Sequence, residues 1–424
     1  MTGYWRQFGT FGRDARLYLS SIALQGFASG GIYAVLFSLY LLRLGYGPEF
    51  IGLVVAAGHI THVIVCPIAG ALGSGWGSRR PMLVGLALLT VGHGLAAMSE
   101  VIQTPWRAAW VLATSILGHV GVSLNSVNAN PFLMGITTSR DRHHAFATQS
   151  AINPLAGFAG SLVGGLMPRT FGALLGVSAD DPAPYRVALL VASALLIPAV
   201  QVLLRTRELQ VERVPIRTIK GASAAPWGVI AMWSLTSMVR WAGRAPTNAF
   251  FTVYLDRALA LSAAQIGAFS AIAKLTAVPA ALLTPWLVTR WGRCNTVVRG
   301  TLIVAASLIL IALVPHWSAA GLGFIGFTAL LSITSPVCSI FNQELVPPMW
   351  RPTMSGIISM AIGLGSAIMS LGGGYAIAGL GYQTLFLFSA ALTALSAAMF
   401  WGFFRAPRGE LARQSEATCD SVRV

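Results

Sequence analysis

"FSLYLLRLGYGPEFIG", residues 37–52, returns as "FTVYLDRALALSAAQIG" at residues 251–267. Phe, Tyr-Leu-x-Arg and Ile-Gly keep their order, so an early segment has a copy about half a chain later. Further along, "GSGWGSRR" (73–80) matches "VTRWGRC" (288–294), and Gly77 meets Gly292 at an offset of 215 residues. Tyr185 and Tyr382 each open the last apolar segment of their half. The chain therefore reads as two copies of one architectural unit.

Twelve apolar segments surround these motifs: 17–42, 49–73, 81–99, 106–137, 145–167, 185–204, 227–255, 262–288, 296–315, 318–343, 353–378 and 382–404. Of the 424 residues, 55% are hydrophobic and only 10% charged, against roughly a quarter charged in soluble domains. Runs of about 20 apolar residues are what a helix needs to cross a bilayer. The short alternating segments of a transmembrane β-barrel are missing. The expected fold is an all-α polytopic membrane protein, with twelve transmembrane helices in two pseudo-symmetric six-helix bundles. The expected division is 1–204 for the N-terminal bundle, 205–226 for a cytoplasmic linker, 227–405 for the C-terminal bundle and 406–424 for a cytoplasmic tail. The linker, "RTRELQVERVPIRTIKGASAAP", is the one long polar stretch in the interior.

The net charge of +15 invites a nucleic-acid reading, but the charges lie in short loops between apolar runs. With both termini cytoplasmic, cytoplasmic segments hold 20 Lys and Arg and outer loops hold five: Arg43, Arg107, Arg169, Arg186 and Arg257. That excess is the positive-inside pattern. It predicts a multi-pass protein of the inner or plasma membrane with no nucleic-acid partner. Cys66, Cys294, Cys338 and Cys419 show neither a disulfide framework nor zinc-ligand spacing. The N-terminus lacks a signal-peptide pattern. "HITH" (59–62) lacks the Glu and the spacing of a metalloprotease helix, and no P-loop is present. No enzyme, metal or cofactor is expected, and ATP-driven pumping by this chain is not expected either.

Parallel six-helix repeats are a transporter architecture, with the substrate site near the midplane between halves. At this point the chain resembles the major facilitator superfamily. The loop after that family's second helix carries a Gly-x-x-x-Asp-Arg-x-Gly-x-Arg-Arg signature. "GALGSGWGSRR" keeps Gly70, Gly77, Arg79 and Arg80, with Ser74 at the acidic position. In the second half, "PWLVTRWGR" keeps Arg290 and Gly292, with Thr289 at the acidic position. The family's aspartate helps lock the cytoplasmic side; here the resemblance implies hydroxyl and backbone contacts in its stead. "GSLVGG" (160–165), with Gly160, Gly164 and Gly165, is similar to the Gly-Pro-x-x-Gly-Gly signature of the family's antiporters, Ser161 replacing Pro. The small-residue spacings Gly26-x-x-x-Gly30 and Gly160-x-x-x-Gly164 also read as helix packing. The resemblance implies a monomer that works by alternating access.

A charge at the bilayer centre costs at least about 2.5 kcal/mol, so intramembrane charges mark cavities or partners. Arg240 and Arg244 lie one turn apart on the seventh segment, with Asn248 continuing their face and Ser237 below. Lys274 lies in the middle of the eighth segment, and the 215-residue offset maps His59 of the His59/His62 pair onto it. All thirteen Asp and Glu fall in loops, tails or helix ends. An anionic substrate would supply the missing countercharge, and arginine's planar fork suits carboxylate or phosphate. The alternative is structural: an arginine reaching backbone carbonyls or Glu344, a neutral packed Lys274, and histidines satisfied within the bundle. Gln25, Tyr33, Asn125, Asn128, Gln149 and Asn153 fit a cavity wall or equally ordinary interhelical hydrogen bonds. Glu344 and Arg351, in "NQELVPPMWRPTMSG", fit a cytoplasmic gate or a simple helix-end pair. The leading expectation is a secondary transporter of a small organic anion, by exchange or proton coupling, whose partners are that small molecule, a coupling proton or counter-substrate, and the lipid bilayer. Efflux of amphipathic drug-like compounds is the alternative, and a non-transporting receptor or scaffold a more distant one.

Overall fold

The computed structural model of the chain describes residues 11–138, 141–207, 226–347 and 350–405. Most of the expected linker, the C-terminal tail and Arg140 lie outside these residues. Helix α1 spans Arg13–Arg43, and its middle, Gly26–Tyr33, winds as a wide π turn. It is followed by α2 (Pro48–Trp76), α3 (Arg79–Ala97), α4 (Thr104–Ile136), α5 (Arg142–Leu175) and α6 (Pro182–Leu204). The second half contains α7 (Trp227–Arg257), α8 (Ala263–Trp291), α9 (Arg293–Leu313) and α10 (Trp317–Glu344). The last helical stretch, Arg351–Phe404, is interrupted at Gly381, where φ is 82° and ψ 172°, giving α11 (351–380) and α12 (382–404).

Ten stretches among the described residues are long and apolar enough to cross a membrane; they count Thr353–Phe404 as one and do not include α7. Helix α7 is 31 residues long, and its interior arginines keep it out of a purely apolar class. With the break at Gly381, a helix occupies each of the twelve apolar segments of the sequence. Prolines open α2, α4 and α6, where the lost N–H has no intrahelical acceptor to lose. Other prolines lie inside helices, among them Pro67, Pro246 and Pro336, which membrane helices tolerate when neighbours satisfy the freed groups.

Backbone geometry repeats with the sequence. Among the described residues, positive φ occurs at Gly45, Gly77 and Gly176 in the first half, and at Ala260, Gly292 and Gly381 in the second. The first two pairs are each 215 residues apart, and all three sit in corresponding connections. Gly77 and Gly292, the signature glycines, share φ 84°/ψ 156° and φ 77°/ψ 161°, a region that disfavours side chains.

By contacts, the chain forms two compact units. One comprises α1–α6 with Thr252–Leu275; the other comprises the remainder of α7 and α8 with α9–α12. The first has a core of Tyr18, Leu19, Met82, Leu86, Phe132, Leu133 and Leu203. In the second, Trp233 packs among Phe341, Phe400 and Phe404 at ring-centroid distances of 5.3–5.4 Å. Large apolar side chains such as Ile64, Leu282, Ile368 and Leu380 are exposed, a surface suited to lipid.

Candidate functional site

The second unit holds both α7 arginines. Close packing places them: a side chain at Gly243 would lie 2.8 Å from the Ser389 carbonyl and 2.9 Å from the Thr393 amide of α12. A side chain at Gly365 of α11 would meet the Met238 carbonyl at 2.5 Å. Helix α7 is thereby wedged against both neighbours, and the part of its polar face that carries Ser237, Arg240 and Arg244 is buried. Arg244 is 1% exposed and Arg240 6%. Arg240 lies over the Trp233 ring, 5.7 Å from its centroid, and its Nη1 donates to Cys338 Sγ at 2.7 Å. Its Nε meets no acceptor, and neither do Nε and Nη2 of Arg244. The hydroxyls of Ser234, Ser237 and Thr247 on the same helix are likewise buried and unpartnered. Asn248 is exposed. Among the described residues, no carboxylate pairs with either arginine.

Glu344 does not extend toward them. It pairs with Arg293 at the start of α9, so its partner is Arg293 and not Arg351, which is exposed. The pairing of Glu344 with Arg351, read as a gate or a helix-end pair, is replaced by a helix-end pair with Arg293.

Lys274 belongs to the first unit. Its Nζ donates to the Gly30 carbonyl at 2.6 Å and to Ser161 Oγ at 2.7 Å. Gly30 lies in the π turn of α1, and Ser161 is the residue that replaces proline in GSLVGG. Gly157 leaves room for the lysine stem, since a Cβ there would stand 3.2 Å from Lys274 Cδ. The other glycines of that segment form a seam: Gly160 and Gly164 lie against α1 at Gly31 and Ile32, and Gly165 lies against Ala263 and Gly267 of α8. The arrangement is a tether across α1, α5 and α8, which spacing alone did not reveal.

The polar wall resolves into separate contacts. Asn125 Nδ2 donates to Gln25 Oε1 at 2.5 Å, and Gln25 Nε2 to Ser21 Oγ at 3.2 Å. Tyr18 donates to Gln149 Oε1 at 3.1 Å. Asn128 bonds the carbonyls of Ala69 and Leu124. Asn153 is exposed beside Gly26. Tyr33 stacks on His93 with centroids 3.6 Å apart, a partner the sequence did not flag.

The histidines of α2 have different surroundings. Ser123 Oγ donates to the His119 carbonyl at 2.8 Å, which uses its one proton. His62 Nδ1, 3.0 Å from Ser123 Oγ, must then be the donor, leaving Nε2 to accept from Cys66 Sγ at 3.3 Å. A neutral His62 satisfies every contact. Gly58, next to His59, leaves the space that the His119 ring occupies.

At the signature loops, Arg79 Nη2 donates to the Leu204 carbonyl at 2.6 Å, capping the end of α6. Ser74 donates to Ala71 of its own helix at 2.8 Å, so the backbone carries the contact and the hydroxyl does not bridge. Arg80 is exposed, and Arg290 lies over the ring of Trp286. Gly70 of the same signature approaches Val127 of α4, a Cβ there standing 3.9 Å from its side chain.

The Major Facilitator Superfamily family model matches residues 19–238 and 232–418. No curated protein is close enough in sequence to register as a relative. Among solved structures, the inward-open xylose transporter XylE from E. coli superposes with a TM-score of 0.75 at 14% identity, covering 95% of this chain and 98% of its own. A mutant of the nucleoside transporter NupG gives 0.73 at 15%, covering 92% and 100%. The human organic anion transporter MFSD10 gives 0.63 at 16%, covering 92% and 99%. At such identities the likeness is one of fold. The family match spans both sequence repeats and the signature loops: this chain is a member of the major facilitator superfamily, a family of membrane transporters.

Proposed function

We propose that the chain carries a small organic anion across the membrane, with Arg240 and Arg244 neutralising it. The carrying observation is the buried, acid-free guanidinium of Arg244, with two donor nitrogens, Nε and Nη2, unpartnered. Each unsatisfied buried donor costs about 1–3 kcal/mol, and a carboxylate or phosphate bound in bidentate fashion relieves that penalty. Ser237 and Thr247 offer further donors on the same helix. The fold shared with a human organic anion transporter is compatible with this reading. The charge count puts both termini and the signature loops on the cytoplasmic side. Transport proceeds by exchange or proton coupling in a monomer.

The test is a thermal-shift panel of carboxylates, phosphate esters and cationic dyes on the purified protein and on Arg240→Gln/Arg244→Gln. A ligand that binds only the folded state raises the melting temperature. Stabilisation by anions that the double variant loses is the expected result. Stabilisation by dyes that survives the substitution would sink the anion reading and put efflux of amphipathic compounds in its place.

A further inference from the structure

At the end of the first unit that carries the α1–α2, α5–α6 and α7–α8 connections lies a half-open cavity of about 770 Å³. Its volume suits a small-molecule ligand. Arg43, Arg169 and Arg257 line it, as do Asp180 and Asp256. The charges are not evenly matched. Arg43 takes both carboxylates: Asp256 bidentately at 2.7 and 2.9 Å, and Asp180 at 3.0 Å. Among the described residues, Arg257 reaches only the Leu42 carbonyl, at a marginal 3.5 Å. Arg169 has no acid partner among the described residues. Two exposed guanidiniums thus line the cavity, and among the described residues neither is paired with a carboxylate.

The backbone adds to the same sign. Helix α8 begins here, and its first residues Ala263 and Ala264 line the cavity. Ser262 and Gln265 cap one another through Ser262 N–H to Oε1 at 2.9 Å and Gln265 N–H to Oγ at 3.4 Å. That box satisfies its own amides and leaves the earliest helical N–H groups without an intrahelical acceptor. A 29-residue helix presents the positive end of its dipole at that point.

We propose that this cavity is a second anion site, separate from Arg240 and Arg244, which takes a small carboxylate- or phosphate-bearing solute on Arg169 and Arg257. Arg43 is held by Asp256 and forms the wall; Asp180, exposed at the rim, opposes the ligand. The site stands on its own residues. Only the identification of its ligand with the transported solute rests on the reading above, as a first docking point on the face that the charge count makes external.

The experiment is isothermal titration of the detergent-purified full chain with succinate and with inorganic phosphate at fixed low ionic strength, because exposed charge interactions are screened by salt. Four proteins are compared: wild type, Arg169→Gln/Arg257→Gln, Asp180→Asn and Arg240→Gln/Arg244→Gln. The expected result is a binding event weakened at least about tenfold by Arg169→Gln/Arg257→Gln, the loss of two charge-assisted contacts. The same event persists in Arg240→Gln/Arg244→Gln. Asp180→Asn tightens it several-fold, a gain that misfolding cannot imitate. Unchanged affinity in Arg169→Gln/Arg257→Gln overturns the proposal, as does failure of Asp180→Asn to tighten binding or absence of any anion binding to wild type. Binding lost only in Arg240→Gln/Arg244→Gln overturns this site while leaving that of Arg240 and Arg244 standing.

Discussion

Ala260 is the one non-glycine residue with positive φ among the described residues, at 50°. Its place in the repeat explains it. Gly45, 215 residues earlier, has φ 88° in the corresponding connection. The connection demands a left-handed residue in both copies, and the second copy supplies alanine. Such a residue stores about 1 kcal/mol or more of backbone strain. Ala260→Gly should therefore raise the apparent unfolding free energy by about 1 kcal/mol, read as an increase in melting temperature; a decrease would show that the alanine methyl packs usefully. Arg240 and Arg244 show the complementary case. Their lack of carboxylates was legible from the sequence, because no acid lies near the centre of any apolar segment. The contact of Arg240 with Cys338, 98 positions away, was not, since spacing says nothing about which residues two distant helices bring together.

Among the helices, small residues set distances that larger ones forbid. Helix α5 approaches α1 so closely that a Cβ at Gly160 would run into the Phe27 carbonyl and stand 3.0 Å from Gly31 Cα. Backbone cannot yield there as a flexible side chain does. Gly160→Val should cost about 1–3 kcal/mol through overpacking, while Gly372→Ala, with nothing within 4 Å, should not lower stability. Equal thermal melts for the two variants would show that the α1–α5 seam is not tight. The spacing of GSLVGG announces close packing, and both Gly160 and Gly164 meet α1. The role of Ser161 as an acceptor for Lys274 depends on the third dimension: α8 must lie beside α5 and α1 for an ammonium to reach it.

For the molecule as a whole, the repeated Tyr-Leu-x-Arg motif meets its own copy. Arg43 of the first copy pairs with Asp256 of the second, and Arg257 of the second reaches Leu42 of the first. The copies differ at this point, Leu42 against Asp256, so only one of the two reciprocal contacts is an ion pair. Side-chain exposures of 16% and 6% place it among largely buried pairs, where removing one partner costs about 3–5 kcal/mol. Asp256→Asn should lower stability toward that range, whereas Asp180→Asn, at an 80% exposed carboxylate, should change it by less than about 1 kcal/mol. Similar melting temperatures for the two variants would refute the contribution assigned to the buried pair.

The sequence by itself determined the helical membrane architecture, the duplication and the family resemblance. These rest on local chemistry: apolar runs long enough for a bilayer, charges sorted by loop, and motifs returning at a fixed offset. It also determined that three basic residues, Arg240, Arg244 and Lys274, lie well inside apolar segments without an acid nearby in the chain. Which of them stays unsatisfied was decided by tertiary structure alone. Lys274 finds a carbonyl and a hydroxyl on α1 and α5, Glu344 is taken by Arg293, and His62 is satisfied by Ser123 and Cys66. Arg244 keeps two buried donors without acceptors. Hydrogen bonding acts over about 3 Å, and only the packing of helices distant in sequence brings donors and acceptors within that reach.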